Sequence, residues 1–330
     1  MTEDPESSIT SSPHRNPGVI ALPVRDLAQV IVVIILWSIC YPLITTGLTA
    51  SPPFHLAAIR SLLAGASLLL AGIVCKRPLI PGRDVWFFLI IISLTFTTLG
   101  FTGMFLAGER VTPGLATVIA NAQPLLAALL GYFVLTERLT RARGLALMAG
   151  FAGIIVITIP GLLEPSANST PAGIGLVLVG ATGVAIGNVL LKRIANRVDP
   201  LIGMAWILLL GAIPLIAAAA IYEQNILINW NISSVVSLVV LSVLGTGLAF
   251  VLWLDLLRRA ELNLLNTYTF LAPVFALAIG SSFYDEQLSA IEWVGVSLVV
   301  LAVLLASRTS TRHRHKPPMK VSTSTPDRMK

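Results

Sequence analysis

Residues 121–137 read NAQPLLAALLGYFVLTE, and residues 270–286 read FLAPVFALAIGSSFYDE. Laid over each other with a shift of 149 positions (273 − 124), Pro124 falls on Pro273, Ala127 on Ala276, Gly131 on Gly280 and Glu137 on Glu286. Each copy is an apolar run ending in a carboxylate, close to the roughly 20 residues that cross about 30 Å of hydrocarbon as a helix. The agreement extends downstream, where 144–159 and 293–308 are both apolar and both follow a short charged connection. Upstream, TLGFTGMFLAGER (98–110) lies over GLAFVLWLDLLRR (247–259) more weakly. The chain is built twice.

Outward from these segments the sequence divides into ten apolar runs, at approximately 27–47, 54–75, 85–107, 113–135, 144–163, 172–191, 200–221, 234–256, 262–283 and 290–307. With 55% hydrophobic and 12% charged residues and a mean hydropathy of +0.86, the composition is that of a polytopic membrane protein and leaves no room for a soluble catalytic domain. Alternate gaps hold the cations. Lys76, Arg77 and Arg83 share one gap, Arg138, Arg141 and Arg143 the next, followed by Lys192, Arg193 and Arg197, and then Arg258 and Arg259. With the two tails, these gaps take 20 of the 22 Lys and Arg. Cytoplasmic loops retain Lys and Arg, so both termini are expected inside the cell. The net charge of +6 then reports orientation and contact with the lipid bilayer, not nucleic-acid binding.

The expected organisation is an all-α integral membrane protein of ten transmembrane helices. A disordered cytoplasmic tail (1–26) precedes a first five-helix repeat (27–163); a second repeat (172–307) precedes a basic cytoplasmic tail (308–330). Five is odd, so the second copy must enter the membrane in the opposite sense to the first. Inverted repeats of this kind give secondary transporters two mirror-related conformations. Residues 1–25 lack the pattern of a signal peptide, and two cysteines, Cys40 and Cys75, imply no disulfide framework.

A Pro-containing fourth span running into Glu137, its repeat at Pro273–Glu286, and Arg60 early in the second span resemble the drug/metabolite transporter superfamily, and within it the EamA family. The resemblance covers about residues 30–160 and 172–306. It implies a central substrate cavity, alternating access, and small-molecule substrates such as amino acids, other metabolites or toxic organic compounds, often exported from the cell across its plasma or inner membrane.

Arg60 is the one cation inside a span, and an ionised group there must face protein or water. It is either an anchor for an anionic substrate group or a structural cation, with Glu109 a candidate partner. Pro124 and Pro273 each remove a backbone donor and are candidate hinges. Thr117, Asn121 and Pro124 share one helix face by i, i+4, i+7 spacing; Asn263, Asn266 and Pro273 do likewise, with Thr267 and Tyr268 on the adjoining strip. Gln123 points away from that face. Trp37 and Tyr41 on the first span, Phe101 and Phe105 on the third, and Phe250 and Trp253 on the eighth offer flat apolar walls. The candidate substrate-binding set is Trp37, Tyr41, Arg60, Phe101, Phe105, Asn121, Asn266 and Tyr268. Gly183 and Gly187 form a GxxxG, for which close packing within the bundle is the default and a homodimer the alternative.

Neither HExxH, Walker loop, Cys-x-x-Cys nor Gly-x-Ser-x-Gly occurs, so no catalytic residue, cofactor or metal is expected. His313, His315 and the sequons at Asn168 and Asn231 have bland explanations. No acid lies deep in a span, only Asp255 near an inner end, beside Arg258 and Arg259, so the coupling expected is that of a facilitator or exchanger. A flippase or an enzyme acting on a lipid-linked substrate is the rival reading, and a non-transporting scaffold the third.

Overall fold

The computed structural model describes residues 22–107, 110–111, 113–137, 139–163, 170–224, 228–283 and 289–308, and among these every regular element is helical. The tails, Glu109, Arg138, Asn168, Asp285 and Glu286 lie outside the described residues, as does the side chain of Tyr41. Seven helices are long and apolar enough to cross a membrane, and two shorter ones, Leu262–Ala278 and Ala290–Ala306, are apolar as well. The protein is therefore multi-pass. Its backbone is helical because hydrocarbon offers no partner to an exposed N–H or C=O, and a helix satisfies both within one segment.

In chain order, α1 is Val24–Leu48 and α2 is Pro53–Val74. The third run holds α3 (Trp86–Ile92), a π-helical segment Ser93–Leu99 and α4 (Gly100–Ala107). The fourth is broken into α5 (Pro113–Ala120) and α6 (Gln123–Val134), and α7 is Arg141–Leu163. The second half follows as α8 (Pro171–Ile194), α9 (Pro200–Tyr222) and α10 (Ile232–Ser242). A second π segment, Val243–Leu248, leads into α11 (Ala249–Arg259). Last come α12 (Leu262–Thr269), α13 (Leu271–Phe283) and α14 (Ala290–Arg308). Pro at the first turn of α2, α5, α8 and α9 fits the one place where a missing N–H costs nothing.

The shift of 149 reappears in the backbone. The fourth run breaks at Asn121–Ala122 and the ninth at Phe270 (270 − 121 = 149). Both breaks precede a proline, whose missing N–H leaves the carbonyl four residues back, Ala120 or Thr269, without its helical donor. The π segments correspond too, with Ser93 over Ser242 and Thr97 over Thr246. Ser93 Oγ donates to the Leu89 carbonyl and Ser242 Oγ to the Leu238 carbonyl, both at 2.6 Å.

Equivalent helices pack on each other in opposite directions. Gly65 of α2 meets Ala205 and Leu209 of α9, whereas Gly72, further along α2, meets the earlier Leu201 and Ile202. The same descent relates α7 to α14, with Gly153 against Val299 and Gly295 against Ile157. Where α8 crosses the third run, Gly180 touches Gly103, Gly183 faces Leu99 and Gly187 faces Phe96. The GxxxG stripe is thus consumed inside the bundle, as small residues allow backbones to approach.

A Cβ on Gly103 would fall 2.5 Å from the Leu176 carbonyl oxygen and 2.6 Å from Gly180 Cα. Gly103→Val should therefore cost about 1–3 kcal/mol or more, as overpacking does, and lower the unfolding temperature in detergent. Gly175→Ala, with nothing within 4 Å, should leave that temperature unchanged or higher.

Candidate functional site

The π segment Val243–Leu248 is a joint at which α1 and α2 meet the second half. The wider i→i+5 pattern brings Thr246 over Leu241: its hydroxyl donates to the Leu241 carbonyl, five residues back, at 2.8 Å. The same oxygen accepts from Arg60 Nε at 2.7 Å. Cys40 Sγ sits 3.6 Å from the Gly245 carbonyl, pressing α1 onto the segment. Segments of this kind recur at functional sites, because they turn backbone polarity toward side chains.

Arg60 is 3% exposed. Its guanidinium carbon lies 4.6 Å from the Phe101 ring centroid and 5.7 Å from that of Phe105, both within cation–π range. Among the described residues it has no ion pair, and its Nη1 and the neighbouring Ser61 Oγ have no hydrogen-bond partner. The proposed partner Glu109 lies outside the described residues. Among the described residues, then, Nη1 of this buried guanidinium is left without a hydrogen-bond partner.

Phe250, one turn beyond Thr246, connects this group to a second cluster. Its ring is 6.2 Å from that of Trp37 and 4.9 Å from that of Phe96, and Trp37 lies 5.2 Å from Trp253. Trp253 Nε1 donates to Asn188 Oδ1 at 2.8 Å, whereas Trp37 Nε1 is buried without a partner among the described residues. Tyr41 lies on α1 beside this cluster in sequence, its side chain outside the described ones.

The two helix breaks present different chemistry. At the first, Asn121 and Thr117 line a cavity of about 340 Å³ between α4, α5 and α8, together with Gly100, Gly103 and Met104. Gln123 lines it as well, with Nε2 buried and unpartnered. The two-residue turn at 121–122 resets the helical phase, so the expectation that Gln123 faces elsewhere does not hold. Asn121 Nδ2 donates to the Thr117 carbonyl at 2.8 Å. At the second break the equivalent of Asn121 is Phe270, fully buried, and the space is filled. There Asn263, Asn266 and Tyr268 are buried on α12, and neither amide atom of Asn263 or Asn266 has a partner among the described residues. A buried amide left unpaired costs about 1–3 kcal/mol, so these groups await water or a ligand.

The sequence-chosen residues thus gather as Arg60 with Phe101 and Phe105, as Trp37 with its rings, as Asn121 at the first break, and as Asn266 with Tyr268 on α12. They form no single constellation. Thr246 was missed, although the 149 shift that pairs it with Thr97 was legible. A separate chamber of about 840 Å³, lined by Pro53, Phe54, Arg110, Tyr222 and Glu223, opens at the N-terminal end of α2. There Glu223 accepts from the backbone N–H of Phe54 at 2.7 Å and of His55 at 2.8 Å, capping α2.

Comparison with known proteins agrees with this architecture. The sequence pattern of the EamA-like transporter family matches residues 27–159 and again 171–308. An uncharacterized transporter of Synechocystis is 28% identical over 86% of this chain and 90% of its own. The uncharacterized inner membrane transporter YedA of Escherichia coli is 29% identical over 83% and 87%, respectively. A chloroplastic WAT1-related protein of Arabidopsis thaliana is 28% identical over 77% of this chain and 63% of its own. A solved crystal structure shares the fold with a TM-score of 0.73, covering 86% of this chain and 96% of that one at 23% identity.

Thr246→Val removes the acceptor for Arg60 Nε and should cost about 3 kcal/mol or more, since a buried charged donor left unmet exceeds the roughly 1–3 kcal/mol of a neutral one. Thr246→Ser should restore most of it. Unfolding temperatures of the purified proteins in one detergent decide.

Proposed function

The chain belongs to the EamA-like transporter family, and on that premise we propose that it moves small organic metabolites, amino acids or related compounds or drugs, out of the cell by alternating access. Ten crossings, five in each half, place both termini on the cytoplasmic side. Support for the count comes from the seven long apolar helices, the two shorter ones and the 25-residue α1. The observation that carries the mechanism is the opposite running of equivalent helices, α2 on α9 and α7 on α14, with helix breaks at equivalent points three residues before Pro124 and Pro273. A duplicated unit arranged this way can exchange the conformations of its halves, so that the site faces either side. Broken helices supply the hinges and leave backbone carbonyls to face a cavity.

In this reading Arg60 binds an anionic group of the solute through Nη1, and Phe101, Phe105 and Trp37 provide flat apolar walls. Asn121, Asn266 and Tyr268 supply neutral hydrogen bonds. A flippase or enzyme acting on a lipid-linked substrate is the second reading. It draws on the 340 Å³ cavity, whose wall residue Met104 is 53% exposed, which suits an amphipathic ligand arriving from the side.

Metabolite profiling of cells overproducing the protein should show compounds enriched in the medium, and purified protein in liposomes should exchange them. If it moves none of the nominated compounds while extracting or scrambling lipid, the second reading replaces the first. Asn266→Leu separates structure from function: it removes two unpaired buried amide atoms, so thermal stability should hold or rise. Flux per molecule should fall at least about tenfold if, as a site-directed hydrogen bond does, the amide contributes about 1.4 kcal/mol or more. Unchanged flux would remove Asn266 from the site.

A further inference from the structure

The cavity at the first helix break differs in chemistry from the Arg60 group, although α4 borders both. Phe101 and Phe105 carry the contact of α4 with Arg60, whereas Gly100, Gly103, Met104 and Ala107 line the cavity. At 3.6 residues per turn, these two sets point roughly 130° apart around the helix. Across the space, α8 presents Val177, Ala181 and Val184, and by the same phase turns the exposed Leu178 and Val179 away. A cation thus stands on one side of α4. On the other is a cavity whose described lining contains no charged side chain.

Three neutral polar residues, Thr117, Asn121 and Gln123, interrupt its apolar walls. Asn121 Nδ2 is spent on the Thr117 carbonyl. Gln123 Nε2 is buried and, among the described residues, without a partner. A buried donor left unmet is costly, so an acceptor placed there is favoured. The turn at 121–122 makes this meeting possible, because a continuous helix would aim Gln123 elsewhere. At about 340 Å³ the space falls within the roughly 300–1,000 Å³ of small-molecule pockets. A charged guest would give up its hydration and find no counter-ion in the described lining. An apolar guest gains by leaving water, and the flexible Met104 side chain adapts to its outline.

We propose that this cavity is a binding site for an uncharged, chiefly apolar small molecule, one acceptor of which takes a hydrogen bond from Gln123 Nε2. Ketones, amides and esters carrying rings or short chains have this chemistry. They differ in class from the anionic group assigned to Arg60, so α4 separates two sites of unlike preference. The inference goes beyond the transport reading, and it holds whether or not the guest is carried across.

Benzophenone, two rings about one ketone, is an uncharged probe that records its own position. Under near-ultraviolet light its oxygen takes a hydrogen atom from a neighbouring C–H, and the two carbon radicals join, with methionine side chains favoured. The full chain in lipid nanodiscs is irradiated with benzophenone, and the adducts are mapped by peptide mass spectrometry. Labelling of Met104 should saturate as probe is added. Met148, 58% exposed on α7 and outside the lining, should be labelled in simple proportion to probe dissolved in the bilayer. Gln123→Leu should lower labelling of Met104 relative to Met148 by about two- to tenfold, the worth of one hydrogen bond. Ala120→Phe, which puts a ring at an exposed position of the lining, should abolish the saturable part, and it serves if Gln123→Leu does not fold. Excess benzamide should suppress labelling of Met104, whereas benzoate, of nearly the same shape but anionic, should not. The proposal is overturned if Met104 labelling merely tracks Met148, ignores either substitution, or yields to benzoate as readily as to benzamide. Those results leave the transport reading to its own test, and failure of solute exchange in liposomes would leave a saturable Met104 site standing.

Discussion

In hydrocarbon every backbone N–H and C=O has to find a partner inside the protein, and that constraint organises this molecule. A continuous helix meets it without help. Wherever the chain departs from one, at the two proline breaks and the two π segments, a side chain or a neighbouring helix has to compensate. Ser93, Ser242 and Thr246 bond the carbonyls of their own helices, and Thr98 Oγ1 reaches the Gly211 carbonyl of α9 at 2.9 Å. Ser38 Oγ of α1 reaches the Ala272 carbonyl, beside the second break, at 2.9 Å. The two halves pack most extensively along continuous helices, α7 on α14 and α2 on α9, and the irregular segments add polar bonds between them.

The duplication sets a second theme, symmetry that is kept in backbone and relaxed in side chains. Equivalent breaks carry Asn121 in one half and Phe270 in the other, so one break borders a cavity and the other carries a fully buried ring. Arg60 has Leu209 as its counterpart 149 residues on, and Leu209 fills space against Gly65. The halves are therefore equivalent in backbone and different in side chains.

Charge is distributed by the same economy. At the basic face, exposed or half-buried ions are woven into local networks: Arg259 reaches Asp26 at 3.0 Å and Asp255 at 2.6 Å, and Arg197 pairs with Asp84. Such surface pairs contribute little individually; their role is to fix how loops sit on helix ends. Inside the bundle the solution changes. Among the described residues Arg60 meets a hydroxyl and two aromatic rings and forms no ion pair. Glu137 occupies the boundary between the regimes, its carboxylate accepting from the Leu262 and Asn263 N–H groups.

Much of this was legible in the chain itself. Apolar runs of membrane length, the alternation of Lys and Arg between gaps, and the shift of 149 residues gave a multi-pass helical protein built twice, with boundaries such as Pro53–Val74 and Arg141–Leu163 within a few residues of expectation. These features are periodic or compositional, so they survive without knowledge of what lies across the bundle. Pairing across the bundle was not legible. That Arg60 bonds Thr246, that Gln123 shares a cavity with Asn121, and that Glu137 caps α12 all depend on residues far apart in sequence, and on helical phase altered by a turn or a π segment. Hydropathy records how much a segment wants to leave water; only the packed bundle decides which polar group each buried one meets, because that choice is made by shape and distance between helices.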